Sequence, residues 1–403
     1  MRLRRNEFCP IHKSVFCCGR ENVPKPRLIR FGVQRVEDPH HPRGYRELRS
    51  PAEMRKLLNR KIVEQNGILN NGRIPAADIF SFTKVGQPWF AWEWLSDVLM
   101  AVVYGHSGLA GIVFVSLLLL GTTSVCVYRT TLEESGHRMI AIALTGLVMA
   151  ASTIHWLARP HLVTPLFAVV FCRVLNRVEK KAKNESFRLA LPPLTTLWVN
   201  LHGGFFVGIV LLITYAIGAA AEELVQGTRR DAWLRARKYL LTAGACAVTS
   251  LVNPFGYRLH VHIAQYLGAS FYLQHISEFQ SIDFHSFTAA YFETLLVMAI
   301  AAAVWHVGKG RWVQVLLLLS WSHLALFSSR NIPIFAVVAA PSIGLAMREW
   351  LEYARSRWLV SGRGRSVRVS RNSKLEYESS RRVMTEGAGI SYPLLVCCCL
   401  HSC

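Results

Sequence analysis

The sequence predicts an all-α, polytopic integral membrane protein with about eight to ten transmembrane helices. Its 403 residues are 52% hydrophobic, and the apolar residues come in long unbroken blocks. Two blocks, 108–128 and 203–221, approach the ~20 residues that a helix needs to cross a ~30 Å hydrocarbon core. Because a backbone in lipid must satisfy its own hydrogen bonds, such blocks must be helical. The alternative, a large soluble all-α bundle, does not account for blocks of this length.

Nine apolar segments along the chain are candidate spans. Two of them are short, since 189–201 contains Pro192 and Pro193 and 239–252 has only fourteen residues. Either could be a half-helix or a tilted segment, which leaves the number of spans open by about two. In chain order the candidate spans are 107–128, 139–157, 162–177, 189–201, 205–222, 239–252, 290–307, 312–328 and 331–348.

The linkers between these segments sort by charge. With nine spans, basic linkers alternate with less basic ones, and the positive-inside rule places the basic set in the cytoplasm. The basic linkers are 173–188, 227–238, 308–311 and 348–358. The linkers predicted to lie outside contain His, Asn, Asp, single Arg and aromatic residues, and they are 155–161, 200–204, 253–289 and 328–331.

The formal net charge of +21 does not indicate a nucleic-acid-binding protein. The basic residues lie between apolar blocks and in the two tails, as the positive-inside rule produces. The chain contains no RNA-binding signature and no zinc finger of normal spacing. Of the ten cysteines, those in apolar blocks are small packing residues, and those near the termini lack the spacing of a zinc site.

We divide the chain into four parts by composition. A basic, poorly structured N-terminal segment precedes an outer loop with an interfacial helix, a transmembrane helical domain and a basic cytoplasmic tail that we expect to be disordered. Their bounds are 1–61, 62–106, 107–350 and 351–403.

The outer loop ends in the stretch "SFTKVGQPWFAWEWLSDVL", which is too polar for lipid and unusually aromatic. Tryptophan is favoured at the headgroup level, so we expect Glu93–Tyr104 to form an interfacial helix that leads into the first span. Glu93 and Asp97 are four residues apart and share one helix face. They either serve a site or only solvate that face.

Basic side chains cluster in the outer linkers, where charged groups close to the membrane interior are candidate functional residues. His155, Arg159 and His161 flank Pro160, His202 precedes two glycines, and Arg330 precedes Asn331. Cations at headgroup depth suit a phosphate, and Arg can bind it with two hydrogen bonds. The alternative is that each side chain caps a helix end or reaches a lipid phosphate.

Acidic side chains on the same side could act as a general base or hold a divalent metal through oxygen ligands. These acids are Asp78, Glu93, Asp97, Glu278 and Asp283.

Five motifs resemble, in content and order, a group of bacterial polytopic proteins. They are "NNGRIPAADIFSFTKVGQPWFAWEWLSDVLMAVVY", "ARPHLVTPL", "LWVNLHGGFFVG", "LVNPFGYRL" and "SRNIPIFAVVA", and they cover roughly 62–350. That group resembles GT-C-type glycosyltransferases of the dolichyl-phosphate-mannose-protein mannosyltransferase-like kind. The resemblance implies a GT-C-like fold in the bacterial inner (plasma) membrane.

The resemblance also implies an activity and site residues. Enzymes of this type move a sugar from a polyprenyl-phosphate donor at the extracytoplasmic face, so the expected partners are that donor and membrane lipid. An acid of the first outer loop acts as base or metal ligand, which makes Asp78 and Glu93 the candidate catalytic residues. The candidates for binding the donor phosphate are Arg159, His161, His202 and Arg330. No residue is assigned to a metal, although a divalent metal would be compatible with the acids.

The chain departs from the group before its outer loop. Relatives begin with a transmembrane helix and then carry a segment like Asp-Pro-Asp-x-Trp-Trp-His ahead of Gly-Arg-Ile-Pro. Here the corresponding place reads "RKLLNRKI" (55–62), without an acid or a tryptophan. We therefore expect a truncated or frame-altered relative, with weak or absent activity.

Two other classes of function remain as alternatives. The first is a transporter or flippase for a lipid-linked or anionic solute, and the second is a non-catalytic membrane scaffold. Transporters often contain internal repeats and ionisable residues near the bilayer midplane. This sequence shows no internal repeat, and its ionisable residues gather on one face, so the enzyme is the favoured interpretation.

Overall fold

The computed structural model describes residues 89–180 and 182–358, together with four separate positions, Ile74, Ala77, Gly86 and Gln87. These residues all belong to one compact unit, Glu53–Cys403. The predictions made for 1–61, for Asp78 and for the tail beyond 358 lie outside the described residues.

The described part of the chain is helical, with short 3₁₀ turns between the helices. In chain order the helices are α1 (Trp94–Ser135), α2 (Arg138–Ser152), α3 (Val163–Lys180), α4 (Leu191–Leu201), α5 (Phe206–Gln226), α6 (Arg229–Thr249), α7 (Tyr257–Gly268), α8 (Ser270–His275), α9 (Ala289–Gly308), α10 (Trp312–Phe327) and α11 (332–358). The last helix runs past the predicted boundary at 350 and reaches Trp358.

Helix α1 contains a break that separates a short first part from a long apolar part. At Gly108 the backbone has φ 59° and ψ −150°, which is not helical. Positive φ is readily adopted by glycine and strained for most other residues. A helix that precedes the first span is therefore present, as predicted, and it continues to Ser107.

Six helices are long and apolar enough to cross a membrane, judged by length and composition. They are Trp94–Ser135, Arg138–His155, Pro160–Lys180, Gly203–Val225, Ala289–Gly308 and Ser329–Trp358. Six of the nine predicted spans fall on them. The other three fall on α4, which has 11 residues, on α6, whose first half is charged, and on α10, an apolar helix of 16 residues.

The helices differ sharply in how much of their apolar surface the protein itself covers. Within the most apolar window, 78% of the residues of the last helix are buried, against 28% in α1. The exposed residues of α1 include Phe114, Leu117 and Leu118. An exposed apolar face of this size is disfavoured in water and suits contact with lipid. The last helix is thus central, and α1 lies at the periphery.

An aromatic cluster joins α3 to α4, and a close glycine contact joins α5 to α10. The Trp198 ring stacks on Phe167 at 5.2 Å and meets the edge of Phe171 at 5.5 Å. Helix α5 also packs against α6 and α10. Its contact with α10 is close, because a Cβ atom at Gly218 would lie 2.5 Å from the Cα of Val313. Glycine at this position lets the two backbones approach.

The chain alternates between two ends of this bundle. Helices α3, α5 and α11 each begin at one end, where the linkers predicted to lie outside are found. They finish at the other end, among the linkers predicted to be cytoplasmic. Every predicted site residue that the structure describes is at the first end, which we call the outer end.

Candidate functional site

Four breaks between helices meet at the outer end, where hydrogen bonds join residues that are far apart in sequence. Trp94 Nε1 donates to Asn200 Oδ1 at 2.8 Å, and Ser96 Oγ donates to the Leu201 carbonyl at 2.6 Å. These two bonds fix the start of α1 against the end of α4. The hydrogen bond from Ser329 N to the Gln280 carbonyl, 2.8 Å long, joins two further breaks.

His202 is held in one orientation by the turn that follows it. Helix α4 ends at Leu201, and His202 adopts an extended backbone that caps the next 3₁₀ turn. Its Nδ1 atom accepts the Gly204 N–H at 3.0 Å and lies 2.8 Å from Thr164 Oγ1. Because Nδ1 is an acceptor here, the ring hydrogen of neutral His202 resides on Nε2.

The Nε2 atom of His202 faces the carboxylate of Glu93, 3.3 Å from Oε1. Both side chains are largely buried, with 8% and 15% of their surfaces exposed. Glu93 is the residue just before α1, but its side chain makes no capping bond to the helix. Two residues predicted from separate linkers therefore form one imidazole–carboxylate pair.

The second glycine after His202 leaves no room for a side chain. A Cβ atom at Gly204 would lie 2.6 Å from Thr164 Oγ1 and 2.9 Å from His202 Nδ1. At Gly203 the nearest atoms would be 3.6 Å and 3.8 Å away, in ordinary contact. The close backbone approach expected of the glycine pair is thus a property of Gly204.

Pro160 shapes the break that carries His155, Arg159 and His161. Arg159 has φ −139° and ψ 159°, because the residue before a proline is pushed into the extended region. Pro160 then starts a 3₁₀ turn, where its missing N–H is not needed. His161 Nε2–H donates to the His155 carbonyl at 2.8 Å.

His155 links this break to the start of the last helix. Its ring is buried and donates from Nε2 to the Ser329 carbonyl at 3.2 Å. The rings of His155 and His161 lie edge to face at 5.9 Å. A carbonyl can only accept, so both imidazoles carry their hydrogen on Nε2.

Glu278 and its neighbour Phe279 contact Arg159 and Arg330, respectively. Arg159 Nη1 lies 3.4 Å from Glu278 Oε1, while the Arg330 guanidinium lies over the Phe279 ring at 5.2 Å. Ser328 Oγ donates to the Glu278 carbonyl at 2.9 Å. The side chains of Arg159 and Glu278 are 42% and 33% exposed, and such exposed pairs contribute ~1 kcal/mol or less. Arg159 can therefore exchange this carboxylate for another anion at little cost.

Electrostatic interactions make these groups one cluster. The charges of Glu278, Arg330 and Arg159 all act on His155. His161 interacts with His155, with Glu278 and also with His202. The Glu93–His202 pair and the arginine group are thus neighbours, and five of the six predicted site residues belong to one region. The sixth, Asp78, lies outside the described residues.

The first part of α1 is packed against protein rather than solvated. Asp97 is buried, with 5% of its surface exposed, so the interpretation that Glu93 and Asp97 only solvate a helix face is wrong. Trp92 contacts Tyr266 edge to face at 4.9 Å. Phe90 stacks on His262 at 4.6 Å. The aromatic residues of this stretch therefore anchor it to α7 and α4.

An apolar groove opens beside the cluster, between the start of α1, helix α4 and the turn at 252–253. It has a volume of about 540 Å³, within the range of ligand pockets. Trp94 and Asn200 line it, as do Leu95, Pro193 and Leu197. Trp94 follows Glu93 in sequence, and Asn200 lies two residues before His202. The groove can accept a hydrocarbon chain whose polar end reaches the cluster.

Within the described ranges, 89–180 and 182–358, no group of three or more His, Cys, Asp or Glu side chains is arranged to hold a metal ion. The sequence predicted no metal ligand and left a divalent metal open. The described acids of the cluster each contact a cationic or imidazole group instead, Glu93 with His202 and Glu278 with Arg159.

The structure adds two residues to the predicted set. Glu278 was one of several outer acids without an assigned role, and no spacing distinguished it from Asp283. Thr164 orients His202 and also accepts the Trp198 Nε1–H at 3.3 Å. The only sequence feature that pointed to Thr164 was its position in the motif "ARPHLVTPL", after the Pro-His pair.

Comparison with protein-family models, with curated proteins and with solved structures gives no match for this chain. The resemblance to GT-C-type glycosyltransferases stays an expectation from the quoted motifs.

Proposed function

We propose that the chain is a GT-C-like membrane protein that binds a polyprenyl-phosphate-linked sugar at the outer end and transfers the sugar to an acceptor. The observation that carries this proposal is the cluster of Glu93, His202, His161, Arg159 and Arg330, formed from linkers far apart in sequence. The proposed count of eight to ten spans requires that α4, α6 and α10 also cross the membrane, in addition to the six candidate spans. The proposed location is the bacterial inner membrane.

Arg159 and Arg330 are the proposed phosphate-binding groups. Guanidinium groups bind phosphate with two charge-assisted hydrogen bonds, and the weak ion pair of Arg159 with Glu278 leaves it available. His161 and His202 would add neutral imidazole dipoles beside the charge. The apolar groove next to Trp94 would take the first isoprene units of the donor.

Glu93 is the proposed general base. It would accept the proton of the acceptor hydroxyl as the acceptor oxygen forms a bond to the sugar's anomeric carbon. The bond from that carbon to the phosphate oxygen breaks, and polyprenyl phosphate leaves with the electron pair. The His202 Nε2–H holds the carboxylate in place through the transfer, because its tautomer is fixed by Gly204 and Thr164.

The decisive experiment measures transfer from a radiolabelled polyprenyl-phosphate-linked sugar by the full chain in proteoliposomes. Glu93→Gln keeps the shape of the side chain and removes the base, so we expect a loss of about 10²- to 10⁴-fold. Asp283→Asn is the matched control, since Asp283 is an exposed acid of the outer end. Equal activity of the two variants would refute the role of Glu93.

The same preparation distinguishes the alternatives. A transporter would move a labelled solute into the vesicles without forming a glycosylated product. Binding of the donor without transfer would indicate an inactive relative, as the missing acidic motif led us to expect. Absence of donor binding would overturn the proposed function.

A further inference from the structure

A polar cavity lies at the opposite end of the bundle, between α1, α3, α10 and α11. Its volume is about 290 Å³, at the lower edge of the range for small-molecule pockets. The 18 residues of α3 separate it from the outer end by ~27 Å, at 1.5 Å per residue. Its lining includes six long polar or charged side chains: Glu134, Glu179, Lys180, Arg311, Gln314 and Arg348.

Three buried polar atoms of this lining have no hydrogen-bond partner among the described residues. They are Arg311 Nη1, Gln314 Oε1 and Arg348 Nε. A buried group left unpaired destabilises the fold, and more so when it is charged. Unpaired groups are rare in folded proteins and indicate an occupant such as a water or an ion. Three on the wall of one cavity indicate a ligand with several acceptor atoms, since the Gln314 amide can turn to present its N–H₂.

The acids that line the cavity are already engaged. Glu134 Oε1 lies 2.8 Å from Lys180 Nζ. Glu179 accepts a hydrogen bond from Tyr239 at 2.6 Å and forms an ion pair with Arg235. Glu134 also acts electrostatically on Arg348, but neither carboxylate forms an ion pair with the two arginines of the cavity wall.

Those two arginines share one close carboxylate. Glu349 Oε1 is 2.7 Å from Arg311 Nη2 but 3.9 Å from Arg348 Nη2. Arg348 also lies 3.9 Å from Glu352, whose side chain is 66% exposed, and a pair of that kind is weak. Arg348, unlike Arg311, is thus held only by ion pairs of 3.9 Å.

We propose that this cavity is a second binding site, which takes a phosphate group between Arg311, Gln314 and Arg348. Phosphate supplies acceptor oxygens for Arg311 Nη1 and Arg348 Nε, the two unpaired guanidinium donors of the wall, in charge-assisted hydrogen bonds. The site is independent of the proposed sugar transfer, because it lies at the other end of α3.

The phosphate can belong to a free solute or to an anionic lipid headgroup, and basic pockets between transmembrane helices bind such headgroups. One arm of the test follows the melting temperature of the full chain in neutral detergent as inorganic phosphate replaces chloride at constant ionic strength. The other arm compares nanodiscs of phosphatidylcholine with nanodiscs that also contain phosphatidylglycerol. A response confined to one arm identifies the source.

Arg348→Gln is the test variant, and Arg355→Gln is its matched control on the same helix, since Arg355 is exposed. We expect phosphate or the anionic lipid to raise the melting temperature of the wild type and of the control. In Arg348→Gln the affinity should fall about ten- to hundredfold, because a charge-assisted bond is lost. A response of Arg348→Gln equal to that of Arg355→Gln, or no response of the wild type in either arm, would overturn the proposal.

Two milder variants keep the test decisive if Arg348→Gln does not fold. Arg348→Lys keeps the charge but removes the Nε donor, and Gln314→Leu removes the amide without any change of charge. Each is compared with its own unliganded melting temperature, so a loss of intrinsic stability is subtracted. Weaker binding by both supports the site, and wild-type binding by both refutes it.

Discussion

The outer end and the opposite end of the bundle both contain charged side chains, but they hold them differently. At the opposite end most cations contact carboxylates directly. Arg235 reaches Glu179, Glu222 and Glu223, and Glu133 accepts from Arg173 and Arg177. At the outer end, imidazoles are fixed by backbone groups, and the one arginine–carboxylate pair among the described residues is 3.4 Å long.

This difference separates charges that hold the fold from charges that can bind a ligand. A cation with several acids around it is neutralised within the protein and gains little from an added anion. A cation with a weak partner, placed among oriented neutral dipoles, can exchange that partner at low cost. The exception at the opposite end is Arg348, whose ion pairs are 3.9 Å long, and it lines the cavity proposed as the second site.

The largest effect on stability is expected from Arg235→Ala. It leaves three partly buried carboxylates without their shared cation, and loss of one partner of such a network costs about 3 kcal/mol. Chemical denaturation in detergent micelles measures this loss. Arg237→Ala is the control, because Arg237 is exposed on the same helix. Equal stabilities would show that the network does not hold the fold.

At the outer end the double change Arg159→Gln and Arg330→Gln should alter binding more than stability. We expect the affinity for the polyprenyl-phosphate donor to fall about a hundredfold, since two charge-assisted bonds are lost, while the unfolding free energy changes by less than ~1 kcal/mol. Equilibrium binding of labelled donor measures the first effect. Arg258→Gln, an exposed outer arginine, should bind normally, and a reversed pattern would contradict the comparison.

The paired glycines after His202 offer a sharper steric test. Gly204→Ala places a methyl group 2.6 Å from Thr164 Oγ1, so His202 must turn, and we expect sugar transfer to fall about tenfold. Gly203→Ala meets only ordinary contacts and should keep its activity. Transfer rates of the two variants in one proteoliposome assay check this, and equal rates would argue against a role for His202 orientation.

The smallest effect is a dependence of stability on pH. Burial lowers the pKa of His262 below its usual value of about 6.5. Because protonation then costs more in the folded state, the neutral ring stabilises the fold above pH ~6.5 and that contribution is lost as the pH falls below it. His262→Phe keeps the stack on Phe90. We expect the melting temperature of this variant to depend less on pH between about pH 8 and pH 5 than that of the wild type. His285→Phe, at an exposed position, should leave the curve unchanged.

Local sequence patterns predicted most of the helices. The nine apolar blocks all fall on helices, six of them long and apolar enough to cross a membrane, because helix formation in lipid depends on the composition of the segment itself. Helices α7 and α8, within the predicted linker 253–289, were not predicted. The helix before the first span was also predicted, and its separation from the span follows from Gly108. The alternation of basic linkers placed His161, His202 and Arg330 at one end.

The partners of those residues could not be predicted. The Trp94–Asn200 bond joins residues 106 positions apart, and the His155–Ser329 bond joins residues 174 apart. No local pattern encodes such pairings. For the same reason Glu278 could not be distinguished from Asp283 until its contact with Arg159 was known.

By itself the sequence determined an all-helical chain with spans and two chemically different ends, because hydropathy and charge act segment by segment. Only the tertiary structure decided that the last helix is central, that Glu93 pairs with His202, and that Arg348 forms only long ion pairs. These properties depend on which helix faces meet. That choice is made by packing over the whole bundle, where aromatic clusters and glycine contacts set the distances between side chains.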